Sequence, residues 1–150
     1  VAMDEPMQTI PIGRWEVIDE GSDVAVLAVG PMVELAREAS RKLRTKGISL
    51  HVVNARFLKP LDEEMLLDLA ARDMSIVTLE EAALAGGFGS AVLEFYTSRS
   101  IYGLRIRTMG IPDYFVEHGS VHHQREEVGL TVEQVVRNVE ALMPLTRQRA

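Results

Sequence analysis

The sequence predicts an α/β fold, a three-layer α/β/α sandwich of about five strands, and three observations lead there. The run Val24-Ala-Val-Leu-Ala-Val29 is apolar without alternation and closes on Gly30-Pro31, the pattern of a strand covered on both faces. Segments of helical period alternate with runs of this kind, which marks parallel strands joined by crossover helices. The 150 residues, 47% of them hydrophobic, suffice for one domain with its own core.

Along the chain, residues 1–13 contain Pro6 and Pro11 and follow neither period, so they read as an interdomain linker or arm that leaves 14–150 as the folded domain. A start at Val1, with no targeting pattern, reads as a piece of something larger. Arg14 to Asp19 is a short strand ended by Glu20-Gly-Ser-Asp23, and Val24 to Val29 is a central strand. Pro31 opens a helix whose apolar face is Met32, Leu35, Ala36, Ala39 and Leu43 and which stops near Gly47. A strand from Ile48 to Val53 follows, then a helix capped by Asp62 and running through Met65, Leu66, Leu69 and Ala70, then a strand from Met74 to Leu79.

A third helix starts in the glycine cluster at Gly86 and runs to about Thr97, burying Phe88, Ala91, Val92 and Phe95. In the strand Leu104 to Met109, Arg105 and Arg107 alternate with apolar residues, which places it at an edge. Thr131 and Gln134 form a capping box for the last helix, Leu130 staples onto Val135, and the stripe Val132, Val135, Val136, Val139 and Met143 faces the core before Pro144 ends the helix.

Composition excludes several functions. With 22 Asp plus Glu against 16 Lys plus Arg, the net charge is -6, which argues against nucleic acid as a partner and leaves a small molecule or a protein. The longest apolar run, Val24 to Val29, is far short of the roughly 20 residues that cross a bilayer. The absence of cysteine excludes disulfides, thiol catalysis and cysteine-based zinc sites, and fits a reducing, cytoplasmic setting.

Glu80-Glu-Ala-Ala-Leu-Ala-Gly-Gly-Phe-Gly-Ser-Ala91 lies between a strand and a helix, where an open parallel sheet presents its ligand sites. The glycine spacing matches neither a dinucleotide fingerprint nor a phosphate-binding P-loop. Unpaired amides from Gly87 to Ser90 would hold an anion; alternatively, the glycines serve a tight turn and close packing, with Ser90 satisfying end amides. Glu80 and Glu81 are consecutive at a strand end and face opposite sides, so one meets a helix end or a partner and the other is solvated.

His118, in the loop from Ile111 to Ser120, has the chemistry of a general base but no neighbouring nucleophile, and Tyr114 and Phe115 suit a loop packed against a neighbour. His122 and His123 point apart on most backbones and do not make a metal site. Arg56 and Lys59 follow the second long strand at the same sheet edge, where they would meet a phosphate or an acidic surface, or else lie on a solvated loop in which Phe57, Leu58 and Pro60 pack locally. Arg56, Lys59, Glu81, Gly87, Gly89, Ser90 and His118 are therefore candidate interdomain or anion contacts, and no residue is assigned to catalysis, cofactor or metal.

Ile10-Pro-Ile-Gly-Arg-Trp-Glu-Val17, Arg56-Phe-Leu-Lys-Pro-Leu-Asp62, Val77-Thr-Leu-Glu-Glu81 with Gly86-Gly-Phe-Gly-Ser-Ala-Val92, and Gly110-Ile-Pro-Asp-Tyr-Phe-Val-Glu-His-Gly119 closely resemble, in order, the C-terminal domain of the 1-deoxy-D-xylulose-5-phosphate synthases. The Glu-Glu and glycine segment is shared across the transketolase superfamily, including the beta subunits of 2-oxo acid dehydrogenases, whereas the first and last segments select the synthases. Trp15 departs from the small residue of the family pattern.

The resemblance implies a parent transferase that condenses pyruvate with glyceraldehyde 3-phosphate, losing carbon dioxide, on thiamine diphosphate and magnesium, in isoprenoid and thiamine biosynthesis. It implies a homodimer whose cofactor sits between two preceding domains at a Gly-Asp-Gly motif followed by asparagines. This chain has no Gly-Asp-Gly and only the isolated Asn54 and Asn138, so it is expected to bind neither cofactor and to be inactive alone, with the preceding catalytic domains as its partners. The resemblance also implies one antiparallel strand among the mostly parallel ones, for which Arg14 to Asp19 is the candidate. The rival readings are a 2-oxo acid dehydrogenase beta-subunit domain docking an acyltransferase core, and a free-standing anion- or nucleotide-binding domain.

Overall fold

The computed structural model describes residues 9–143, so the expectations for residues 1–8 and for a helix stop at Pro144 lie outside the described residues. The elements are β1 (Glu16–Asp19), β2 (Val24–Ala28), α1 (Met32–Arg44), β3 (Leu50–Asn54), α2 (Glu63–Ala71), β4 (Ser75–Ala83), α3 (Phe88–Ser98), β5 (Ile106–Ile111), α4 (Val121–Glu127) and α5 (Val132–Leu142). The strands form one sheet in the order β1-β3-β2-β4-β5. β2, β3, β4 and β5 are mutually parallel and β1 runs antiparallel to β3, with a bulge between Val17 and Asp19.

The lack of alternation in β2 has a direct cause. Val24, Val26 and Ala28 point into one apolar cluster, with α1 and α5, while Ala25 and Leu27 point into a second, with α2 and α3. Both faces of the central strand are therefore covered, and all five of its residues are buried. The chain moves from β2 to β3 in one direction and then crosses to β4 and β5 in the other. Right-handed crossovers accordingly put α1 on one face and α2 and α3 on the other. The reversal lies between β2 and β4, so the loops after these strands diverge at the C-terminal edge of the sheet.

Local signals act where they were read. Asp62 accepts a hydrogen bond from the Met65 amide (3.1 Å) and Thr131 from the Gln134 amide (3.3 Å), opening α2 and α5. Leu130 and Val135 meet in the first cluster. β5 is an edge strand, with Leu104 and Ile106 turned to the second cluster and Met109 to the first.

Four expectations need correction. β4 runs four residues past Leu79, because β5 continues to pair with it out to Ala83 opposite Ile111. β5 begins at Ile106 rather than Leu104. Ala91 is half-buried, since it lines an open groove instead of the sheet face. α4 was not foreseen: none of its residues is buried, so it has no apolar stripe to read, and the Ser120 hydroxyl accepting from the His123 amide is its local start signal.

His51 on β3 is buried among polar neighbours, with Nδ1 3.4 Å from a Glu20 carboxylate oxygen and neither ring nitrogen hydrogen-bonded. Desolvation lowers its proton affinity, Arg72 acts in the same direction, and Glu20 and Asp68 oppose them. The folded state thus prefers the neutral ring. The unfolded chain takes up the proton more readily, so this contribution to stability is complete above the ordinary value of 6.5 and is lost as the pH falls below it. Thermal melting between about pH 8 and about pH 5 should show a falling midpoint that His51→Gln flattens; an equally steep profile in the variant would assign the loss to other groups.

Candidate functional site

β4 carries the first part of the site. Its residues are buried as far as Glu80, which is 1% exposed, and exposed from Glu81 onward. The Glu80 carboxylate accepts hydrogen bonds from the backbone amides of Phe88 (2.7 Å) and Gly89 (2.8 Å) at the start of α3. Gly87, the N-cap, has an extended backbone and no side chain to offer, so a strand carboxylate does the capping from below.

Space for this arrangement comes from glycines. A Cβ at Gly87 would collide with the Glu80 carboxylate and the Ala83 carbonyl, and one at Gly110 would stand 3.0 Å from Glu80 Cγ. A Cβ at Gly89 would lie 2.6 Å from Thr78 Oγ1 and 2.7 Å from Thr108 Cγ2, which fixes α3 close against the sheet. Ser90 works locally: its hydroxyl donates to the Leu84 carbonyl (2.7 Å) and accepts from the Gly86 amide (3.1 Å). The amides of Phe88 and Gly89 are therefore taken by the chain's own carboxylate. Of the two readings of this turn, these contacts favour the one in which Gly87, Gly89 and Ser90 serve helix entry and close packing.

From α3 the arrangement extends to the start of the domain. Phe88 is buried, and its ring meets that of Trp15 edge to face, with centroids 5.6 Å apart at 68°. The Trp15 indole donates to the Phe57 carbonyl (2.8 Å) and its amide to the Asp62 carboxylate (2.8 Å), the same group that caps α2. Arg14 adds contacts to Asp62 (3.4 Å) and Glu64 (2.6 Å). This large side chain thus ties the segment before β1 to the starts of α2 and α3.

Glu81 points away from Glu80, as adjacent strand residues must. It is not simply solvated: its carboxylate receives Arg125 Nε (2.5 Å) and Nη2 (2.9 Å) from α4. This bidentate hydrogen bonding holds the Glu81 carboxyl below the usual carboxylate range. Glu80 therefore meets a helix end on one side of the sheet while Glu81 grips a different helix on the other.

The remaining candidates are spread along the same edge. Lys59 is exposed and lines an open groove of about 730 Å³ with Leu58, Gly86, Gly87, Phe88 and Ala91. Arg56 is paired with Glu16 (3.5 Å), so it does not join Lys59 in a common basic patch. Phe57 packs on the second cluster, whereas Leu58 stays exposed. His118 is exposed and has no hydrogen bond or ion pair among the described residues, and His122 lies 3.5 Å from Glu126. Sequence reasoning left Glu80, Trp15 and Arg125 out of the candidate set; the only local signal was the in-out alternation at Glu80-Glu81.

The described residues do not fit thiamine diphosphate or magnesium. No group of three or more His, Asp or Glu among the described residues is placed to hold a metal, and the glycine-turn amides that a diphosphate would need are engaged by Glu80. No helix among the described residues is long and apolar enough to cross a membrane.

Comparison with known proteins is consistent across sequence and structure. Residues 13–135 match the family described as transketolase, C-terminal domain. The 1-deoxy-D-xylulose-5-phosphate synthase of Brevibacillus brevis is 48% identical over 98% of this chain and 23% of its own length. The enzymes of the same name from Geobacillus sp. and Halalkalibacterium halodurans are 48% and 46% identical over 100% of this chain and 24% of theirs. The chain thus spans about a quarter of the length of these relatives.

Among solved structures, a split-gene transketolase described as an inactive beta4 tetramer superposes with a TM-score of 0.84 at 34% identity, covering 99% of this chain and 48% of that one. Transketolase from Campylobacter jejuni superposes with a TM-score of 0.65 at 20% identity over 93% of this chain and 20% of its own, a likeness of fold.

Two substitutions test the glycine turn. Glu80→Ala strips two buried amides of their acceptor and should destabilise the domain by about 2–4 kcal/mol in urea denaturation. Gly89→Val should cost about 1–3 kcal/mol by forcing α3 off the sheet. Parent-like stability in both variants would show that this helix start is held by other contacts.

Proposed function

The chain belongs to the transketolase C-terminal domain family, and on that premise we propose that it is the structural and assembly domain of a thiamine-diphosphate-dependent 1-deoxy-D-xylulose-5-phosphate synthase. In this reading residues 14–150 are the domain and 1–13 the linker to preceding domains, which bind thiamine diphosphate and magnesium and join pyruvate to glyceraldehyde 3-phosphate with loss of carbon dioxide. The parent is a cytoplasmic homodimer that feeds isoprenoid and thiamine biosynthesis.

The observation that carries the reading is the breadth of the match: 48% identity over 98% of this chain against 23% of the relative. The engaged state of the site supports a non-catalytic role, because the carboxylates of Glu80 and Glu81 already hold α3 and α4. It also weighs against a free-standing anion binder built on the glycine turn. The three relatives compared carry the synthase name rather than that of a 2-oxo acid dehydrogenase, which favours the synthase over the acyltransferase-docking alternative.

Calorimetric titration of the chain with thiamine diphosphate and magnesium is expected to give no binding heat, and micromolar affinity would overturn the reading. Deleting residues 14–150 from the parent polypeptide should abolish formation of 1-deoxy-D-xylulose 5-phosphate. A truncated parent with undiminished activity would equally refute an assembly role.

A further inference from the structure

Building on that reading, we propose that the loop between β5 and α4 is the docking element for the preceding part of the parent polypeptide, with Phe115 as its anchoring side chain. Phe115 is fully exposed, Tyr114 is half exposed beside it, and Val121 opens α4 with 58% of its surface in solvent. A phenylalanine wholly in water forgoes the burial that folding normally gives it, and exposed aromatic clusters of this kind mark surfaces that another body covers.

The loop is held firmly enough to present that side chain. The Tyr114 amide donates to the Pro112 carbonyl (2.8 Å) in a tight turn. On the far side of Phe115, Val116 turns inward and lines a cavity of about 290 Å³ with Ile111, Val128 and Leu130. Gln124 donates to the Glu117 carbonyl (3.0 Å), and the Glu81–Arg125 pair fastens α4, which buries no residue of its own, to the end of β4. Phe115 thus points outward although a cavity of mixed lining, with Glu81, Gln124 and Arg125 beside its apolar residues, lies next to it. Exposed Asp113, Glu117 and His118 surround it as a polar rim, the composition of an interface with a central aromatic anchor.

The occupant follows from length and position. Relatives that match this chain from end to end are about four times as long, so roughly three quarters of their chain lies outside the matched part. The loop sits at the C-terminal edge of the sheet. Because β1 runs antiparallel, the chain also enters the domain at that edge, through Arg14 and Trp15. A covalently linked neighbour meets this edge at high effective concentration, which makes one anchored loop sufficient.

The test separates this proposal from the reading it rests on. The upstream part of the parent polypeptide, produced separately, is titrated with this chain, with Phe115→Ser and with Leu93→Ser, a control at an exposed apolar position on α3. Phe115→Ser should melt like the parent chain and bind at least about tenfold more weakly, while Leu93→Ser binds normally. Equal binding by Phe115→Ser overturns the docking proposal and leaves the functional reading standing. Failure of the unmodified chain to bind a folded upstream part even at millimolar concentration, the range that a short covalent link supplies, overturns the docking proposal and leaves the functional reading to its own tests. Light scattering that shows the unmodified chain self-associating and Phe115→Ser monomeric would assign the loop to a second copy, which also overturns the proposal.

Discussion

The carboxylate of Glu80 closes the N-terminus of α3 from inside the protein, and much of the surrounding sequence is constrained by that contact. A helix start leaves its first amides without intrahelical partners. Those of Phe88 and Gly89 are buried, where water cannot serve them, and Gly87 has no side chain with which to cap them. The last buried position of β4 supplies both acceptor oxygens. Desolvating a carboxylate is costly, and the two amide bonds together with the positive end of the helix dipole offset that cost. The group also occupies volume, so the residues that would crowd it, Gly87 and Gly110, must lack a side chain.

A fixed start to α3 has consequences well beyond the turn. It places Phe88 against Trp15, and Trp15 gives its amide to Asp62, which caps α2. The segment before β1, the loop after β3 and the starts of two helices thereby become one unit on the second face of the sheet. Tyr96 strengthens it by donating its buried hydroxyl to the Leu66 carbonyl (2.8 Å), and burial raises the pKa of that hydroxyl. The first face is organised differently: α1 and α5 pack through apolar residues, while Lys42–Glu133 and Lys46–Glu140 bridge them at the surface. Exposed pairs of that kind contribute about 0–1 kcal/mol each, so apolar burial carries that interface.

Glu80 and Glu81 together show why an acidic, glycine-rich strand end here need not be a reaction centre. Each carboxylate already has donors from its own chain, on opposite sides of the sheet. What the edge offers to solvent is aromatic and aliphatic surface at Tyr114, Phe115 and Leu58, with Lys59 beside the groove. In the proposed reading that surface faces a protein neighbour.

The sequence by itself determined the fold class, the central position of β2, the caps at Asp62 and Thr131, the edge position of β5 and the burial of Phe88, because each depends on periodicity or on a partner within a few residues. Tertiary structure decided the rest. That Glu80 rather than an external anion fills the α3 amides, that Trp15 joins two helix starts, and that Arg125 reaches back 44 residues to Glu81 are contacts whose partners meet only after strand order is set. α4 was illegible for a related reason: none of its residues is fully buried, so no apolar period records it, and an ion pair whose other half lies on β4 fastens it. A pattern along the chain reports which way a side chain faces; what stands opposite it depends on the crossovers that bring distant segments together.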